Sequence, residues 1–206
     1  NRHCEKLLFN NKKIHELNIL MIIKPKIKKF ICTTSHPLGC KDNILTYINR
    51  IHKTSQETNR KNAIIIGSST GYGLISRLIL TFKYMYNTIG LFHEKQPQKM
   101  KTGTPGWYNT AFLEDEAKDL NCCTKSFNCY AFSDEAMKEV NIFIKKKFKK
   151  IDLLIYSLAS SKYKSIQTQQ VYRSFIKPIR KDLIVKQIDI EKKHIVESIV
   201  KGATLL

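Results

Sequence analysis

Residues Ala63-Ile64-Ile65-Ile66-Gly67-Ser68-Ser69-Thr70-Gly71-Tyr72-Gly73-Leu74 decide the fold. Four apolar residues in unbroken succession predict a strand buried on both faces, as in a parallel sheet covered by helices. The glycines that follow make a turn, and Leu74 to Phe82 carries the apolar spacing of a helix. Strand, tight turn and helix in that order open a doubly wound α/β fold.

Toward the C-terminus the rhythm repeats. Thr88 to Phe92 reads as a second strand ending at His93-Glu94, and Lys95 to Tyr108 as a long loop punctuated by Gly103, Pro105 and Gly106. Asn109 to Leu120 reads as a helix with Glu114, Asp115 and Glu116 on its exposed side. Cys122 to Phe127 reads as a third strand. Ser133 is an N-cap for a helix from Asp134 to about Phe148, with acids at its positive end and lysines at its negative end. Ile151 to Tyr156 is expected as a fourth buried strand, and the tail from Ser161 as helical stretches without a further strand–helix unit.

Toward the N-terminus, Met21 to Thr34 suggests short strands around Pro25, His36 to Cys40 a turn, and Asn43 to His52 an amphipathic helix. Thr54 to Lys61 is a polar linker. Residues 1–20 are patternless, and the change of character at Met21 marks it as the expected native start. The expected division is therefore an extension (1–20), an N-terminal strand and helix segment (21–62), a dinucleotide-binding half (63–160) and the beginning of a further region (161–206).

Composition narrows the function classes. With 206 residues and 42% hydrophobic content the chain can bury one sizeable core. No apolar run reaches the roughly 18–20 residues of a bilayer span, and no signal-peptide pattern opens the chain. Six cysteines form no C-x-x-C pair, and the six histidines have no metal-site spacing, so free thiols in a reducing cytoplasm and no metal are expected. The net charge of +19 raises a nucleic-acid reading. Its distribution argues against that: six of those charges lie in 1–30, three in 31–144 and ten in 145–206, so the segment carrying the motifs is nearly balanced. Lysines spread over solvated surface account for the excess, and no specific nucleic-acid partner is expected. A basic nucleic-acid-binding protein that kept half of a dinucleotide fold is one alternative; a non-catalytic remnant of an enzyme is another.

The G-x-x-x-G-x-G loop has a chemistry of its own. Gly67 permits the sharp turn, Gly71 lets backbone approach a ligand closely, and Gly73 removes a side chain where helix meets sheet. The free N–H groups and positive end of the following helix suit a dinucleotide pyrophosphate. Glu94, 27 residues beyond Gly67, closes the second strand where a carboxylate can accept from a ribose 2′-hydroxyl and repel a 2′-phosphate, which favours NADH over NADPH. No G-K-[ST] follows the loop, which disfavours a P-loop nucleotidase.

Several segments together resemble a known family. They are Met21-Ile-Ile-Lys-Pro-Lys-Ile27, Phe30-Ile-Cys-Thr-Thr-Ser-His-Pro-Leu-Gly-Cys40, the glycine loop, Lys101-Thr-Gly-Thr-Pro-Gly-Trp-Tyr-Asn109, Ala131-Phe-Ser-Asp-Glu-Ala136 and Asp152-Leu-Leu-Ile-Tyr-Ser-Leu-Ala-Ser160. From Met21 to about Ala203 the chain is similar to the N-terminal portion of the long, monomeric trans-2-enoyl-CoA/enoyl-acyl-carrier-protein reductases of the FabV type. That resemblance implies a Rossmann-like sheet akin to the short-chain dehydrogenases. It also implies NADH-dependent reduction of the carbon–carbon double bond of enoyl-CoA or enoyl-ACP in fatty-acid elongation, carried out in the cytoplasm. It implies that Gly67, Ser68, Ser69, Thr70, Gly71 and Tyr72 hold the diphosphate and ribose, and His93 and Glu94 the adenosine ribose. Tyr130 and Ala131 would lie beside adenine, and Leu158 and Ala159 under the nicotinamide-side ribose. The chain has His93-Glu94 where the family usually has Phe-Glu, and Tyr130-Ala131 where it usually has Asp-Ala.

The family's proton donor is a Tyr followed, after eight intervening residues, by a Lys. Tyr172 and Lys181 match that spacing, but Pro178 interrupts any helix between them and rules the pair out. The catalytic residues are expected beyond Leu206. The chain alone is accordingly expected to be poorly soluble and to show no enoyl-thioester-dependent NADH oxidation.

Overall fold

The computed structural model describes residues 22–28, 31–51, 60–98, 101–160, 162–165, 167–174 and 176–203. The expected extension over 1–20, most of the linker over 54–61 and the end of the tail lie outside them. In chain order the first elements are β1 (Ile27–Lys28), β2 (Ile31–Cys32), α1 (Pro37–Arg50), β3 (Asn62–Ile66) and α2 (Gly71–Leu78), which widens into a π turn over Ile79–Lys83. Then come β4 (Asn87–Phe92), α3 (Pro105–Glu116), β5 (Thr124–Asn128), α4 (Asp134–Lys147) and β6 (Leu153–Tyr156). The last four strands are β7 (Lys162–Lys164), β8 (Val171–Arg173), β9 (Leu183–Asp189) and β10 (His194–Val200). The described residues group into two compact units, one of 22–23 with 35–159 and a second drawn from 24–34 with 160–203. This grouping differs from the expected division, because α1 packs on α3 in the first unit and β1–β2 groups with the C-terminal strands.

The first unit is built on a four-stranded parallel sheet of order β5-β4-β3-β6. Right-handed crossovers dictate where the helices go. From β3 the chain steps twice in one direction, so α2 and α3 share a face. The jump back across β3 to β6 sends α4 to the other face. Alternation along the strands serves both layers. Ala63 and Ile65 meet Leu80, while Ile64, Ile89, Leu91 and Phe127 meet Ala136 and Val140 of α4. Cys40 and Ile44 of α1 pack with Leu74, Leu78, Phe82, Tyr108, Phe112 and Leu113.

Several expectations are corrected in detail. His36 to Cys40 is not a turn but the first turn of α1. The His36 Nδ1 accepts from the Gly39 N–H at 3.3 Å, and Pro37 sits where no intrahelical N–H is needed. Helix α3 likewise begins at Pro105, four residues before the predicted start. Glu114 does not point to solvent; it faces the fully buried Arg77, 3.8 Å from Nη2. Strand β6 is not a buried strand. The sheet order places it outermost, so Leu154 and Tyr156 are exposed. Ser133, as expected, caps α4, its Oγ accepting from the Ala136 N–H at 3.1 Å.

The second unit, described by itself, has no helix among its described residues, contrary to the expected helical tail. Strands pair antiparallel as β1–β2, β7–β8 and β9–β10. Registry puts Ile184 opposite Ile199 and Ile188 opposite Ile195 on one face of the last hairpin, with the Lys186–Glu197 ion pair between them. The turn is tied by the Lys192 N–H donating to Asp189 Oδ1 at 3.0 Å, and Lys193 takes a positive φ of 54°. Both faces of this hairpin carry apolar residues, which hides the period-two alternation that reveals a strand.

Among the described residues, no helix is long and apolar enough to cross a membrane, and no group of three or more His, Cys, Asp or Glu is placed to hold a metal ion.

Candidate functional site

The twelve residues expected to bind cofactor all lie at the C-terminal ends of four strands or in the turns just beyond: 67–72 after β3, 93–94 after β4, 130–131 after β5 and 158–159 after β6. Strand order reverses between β3 and its two neighbours, and open α/β sheets place their ligand crevice outside the carboxyl ends at such a switch point.

The glycine loop is fixed from below. Gly67 has a φ of +85°, and a side chain there would overlap the Ser157 carbonyl just beyond β6 and press on Leu158. A side chain at Gly73 would overlap the Gly67 carbonyl oxygen. Both the Gly67 and Ser68 N–H groups donate to the Leu91 carbonyl, at 2.8 and 3.1 Å. Ser68 is fully buried and its Oγ donates to that same carbonyl at 3.4 Å. Ser68 therefore shapes the loop and presents neither its amide nor its hydroxyl outward.

The top of the loop is open. Gly71 has a φ of +56° and, among the described residues, nothing within 4 Å of where a side chain would begin. Thr70 makes no side-chain cap. The first intrahelical bond runs from the Leu74 N–H to the Thr70 carbonyl at 3.2 Å, so the amides of Gly71, Tyr72 and Gly73 precede it and have no helical acceptor. Tyr72 is 89% exposed beside them. An open hollow of about 280 Å³, lined by Tyr47, Gly71, Tyr72, Leu74 and Ile75, flanks this end of α2. Uncapped donors, the positive helix end and room for close approach together fit an anionic diphosphate.

Glu94 joins the loop directly. Ser69 Oγ donates to Glu94 Oε1 at 2.6 Å. Asn128 at the end of β5 clamps the Glu94 backbone, its Oδ1 accepting from the Glu94 N–H at 2.8 Å and its Nδ2 donating to the Glu94 carbonyl at 2.9 Å. Asn109 Nδ2 donates to the Ser69 carbonyl at 3.2 Å. His93 is exposed, its ring edge-on to Tyr130 at 6.5 Å, and Tyr130 meets Phe132 edge-on at 5.4 Å. Ala131 follows in the turn closed by the Ser133 N–H donating to the Tyr130 carbonyl, and Ala159 is exposed after Leu158.

Asn128, Ser157, Gly106 and Asn109 were not among the expected site residues. Gly106 and Asn109 stand in a motif that the sequence singles out without assigning a role. Ser157 likewise stands in the Asp152 to Ser160 motif without an assigned role, and Asn128 carries no sequence signal, because its contact comes from sheet registry. Arg77, fully buried under the loop's helix, also went unread. Nη1 donates to Ser126 Oγ at 2.7 Å and Nη2 to the Lys125 carbonyl at 3.1 Å, in space that only a glycine at position 90 leaves open. Tyr172 lies on β8 and Lys181 in the bend after Arg180, so no helix carries that pair.

Comparisons with known proteins bear on the family and the fold. Residues 22–99 match the model of the NAD(P)H binding domain of trans-2-enoyl-CoA reductase, and residues 101–205 that of the trans-2-enoyl-CoA reductase catalytic region. The enoyl-[acyl-carrier-protein] reductase [NADH] of Idiomarina loihiensis is 44% identical over 185 residues, covering 89% of this chain and 47% of the relative. The trans-2-enoyl-CoA reductase [NADH] of Ruminiclostridium cellulolyticum is 39% identical over 184 residues, with the same coverage of each. Among solved structures, Clostridium acetobutulicum trans-2-enoyl-CoA reductase in complex with NADH superposes with a TM-score of 0.80 at 36% identity, covering 89% of this chain and 46% of its own. The Treponema denticola trans-2-enoyl-CoA reductase in complex with NAD gives 0.80 at 35% identity, covering 89% and 48%. The chain spans about half the length of the curated relatives it matches.

Proposed function

The chain belongs to the trans-2-enoyl-CoA reductase family, and from that premise we propose that it supplies the NADH-binding part of an NADH-dependent reduction of trans-2-enoyl thioesters. The observation that carries this reading is the joining of the open glycine loop to the strand-end carboxylate Glu94 through Ser69 at the sheet's switch point.

Each residue has a definable task. The amides of Gly71, Tyr72 and Gly73 and the α2 N-terminus hold the diphosphate. Glu94 accepts from the adenosine ribose hydroxyls. His93, Tyr130 and Ala131 flank the adenine, and Leu158 and Ala159 lie under the nicotinamide-side ribose. Bound there, NADH supplies a hydride to the double bond of the enoyl thioester. Relatives named for both carriers support enoyl-CoA or enoyl-ACP as the substrate class. The reduction is proposed for the protein in which this chain works, as a monomer in the cytoplasm. Tyr172 and Lys181 are given no part in proton transfer.

Titration of the 206-residue chain with NADH, followed by nicotinamide fluorescence, tests the proposal. Saturable enhancement that excess NAD⁺ reverses is the expected result. A flat titration with folded protein contradicts it.

A further inference from the structure

We infer that Gly106 and Ser69 set the choice between NADH and NADPH by fixing the position of the Glu94 carboxylate. The inference rests on the NADH reading above and gives Ser69, already an expected cofactor residue, and Gly106 a part played through Glu94.

The geometry is that of a clamp with two jaws. One jaw is Ser69, whose Oγ donates to Glu94 Oε1 at 2.6 Å, a short charge-assisted bond. The other is the bare Cα of Gly106 in the first turn of α3. A side chain there would overlap Oε1, come within 2.5 Å of the Glu94 Cδ and within 2.6 Å of the Ser69 Cβ. Gly106 is buried, so the displaced group has no solvent to move into on that side. Asn109, one turn along α3, holds the Ser69 carbonyl at 3.2 Å and so keeps α3 against the loop. Asn128 pins the Glu94 backbone from β5 with two bonds. Backbone and Oε1 are thus both fixed, and the remaining carboxylate oxygen has one direction left.

A carboxylate held in place discriminates in two ways. It accepts a hydroxyl's proton without first paying to order its own rotamer, and its charge repels a 2′-phosphate at a set distance. If the carboxylate swings away, NADH loses its acceptor and NADPH loses its obstacle. The two affinities therefore move toward each other. A purely structural role for Gly106 and Ser69 would weaken both dinucleotides in equal proportion and leave their ratio unchanged.

The test is calorimetric titration of the folded chain with NADH and with NADPH, in wild type, Gly106→Ala and Ser69→Ala. Ser69→Ala removes one bond and adds no bulk, so it remains informative if Gly106→Ala does not fold. The expected result is a wild type that prefers NADH and an NADH-to-NADPH affinity ratio about tenfold lower in each variant that folds. An unchanged ratio in Ser69→Ala overturns the inference while leaving NADH binding intact. A wild type that binds neither dinucleotide overturns the functional reading, and this inference with it.

Discussion

Ser69 Oγ donates to Glu94 Oε1 at 2.6 Å, so the loop after the first strand of the sheet and the end of the second are joined through one side-chain pair. The partners are 25 residues apart in sequence. Parallel pairing of Ile66 with Leu91 brings both strand ends to the same edge, and the loop amides complete the alignment by bonding to the Leu91 carbonyl.

Glu94→Gln keeps the shape of that contact and removes the charge. NADH affinity is expected to fall by about tenfold, the scale of a charge-assisted bond reduced to a neutral one, while NADPH affinity rises or holds. Fluorescence titration with each dinucleotide reads both constants. A parallel loss for both would assign Glu94 a purely structural part.

The glycines of the loop separate into two kinds, and mutation should resolve them. Gly73→Ala drives a methyl into the Gly67 carbonyl, and relief requires moving backbone; a loss of about 3 kcal/mol in stability is expected. Gly71→Ala meets nothing, so its cost is that of a left-handed alanine, about 1 kcal/mol. Its larger effect should be on dinucleotide affinity, because the methyl occupies the space a diphosphate needs. Urea denaturation supplies the first comparison, NADH titration the second.

Arg77 and Glu114 form a pair in which burial opposes the charge. Burial pushes the Arg77 guanidinium below its ordinary range and the Glu114 carboxylate offsets this in part. Among the described residues, Arg77 Nε and Glu114 Oε1 have no hydrogen-bond partner. Glu114→Gln leaves the cation without its counter-charge and is expected to cost about 1–2 kcal/mol, less than a fully enclosed pair because Glu114 retains 17% exposure. Arg77→Met strips donors from Ser126 and the Lys125 carbonyl and should cost about 2–3 kcal/mol. The double variant should lose less than the sum, since the orphaned charge is gone. Additive losses in a double-mutant cycle would show that the two do not interact.

Asp152 gives the protein an acid-sensitive seam. Its carboxylate is held below the ordinary range first by Lys150 Nζ at 2.8 Å and then by the Asn62 N–H at 2.9 Å, tying the start of β6 to the start of β3. A carboxylate with a depressed folded-state pKa stabilises the fold above its unfolded value, near pH 4, and the contribution drains away as pH falls through the folded value. Asp152→Asn should lower the thermal midpoint at neutral pH and flatten its decline on the acid side. Parallel midpoint-versus-pH curves for the two proteins would rule this out.

The parallel sheet, the glycine loop and the strand-end acid were legible in the sequence because each depends on local pattern: an apolar run, a glycine spacing, a charged residue at a strand's end. What escaped was set by tertiary registry. Nothing near Asn128 announces that it will clamp Glu94, because β5 reaches β4 only through sheet order. Glu114 looked solvent-facing beside Asp115 and Glu116, since the cation it meets is 37 positions earlier on another helix. The β9–β10 hairpin was missed because isoleucines on one face and leucine and valines on the other erase the alternation. His36 to Cys40 misled for another reason: proline and glycine suggest a turn, yet both suit a first helical turn when a histidine caps it.

The central claim is that the α2 N-terminus and the ends of β3, β4, β5 and β6 form one dinucleotide site. An amide-resolved magnetic resonance titration of the chain with NADH tests it most directly. Shifts concentrated at Gly71, Tyr72, Gly73, Glu94, Tyr130 and Leu158, with β9 and β10 silent, are the predicted result. Saturating NADH that leaves Gly71 to Gly73 unmoved, or moves residues 183–200 instead, would contradict it.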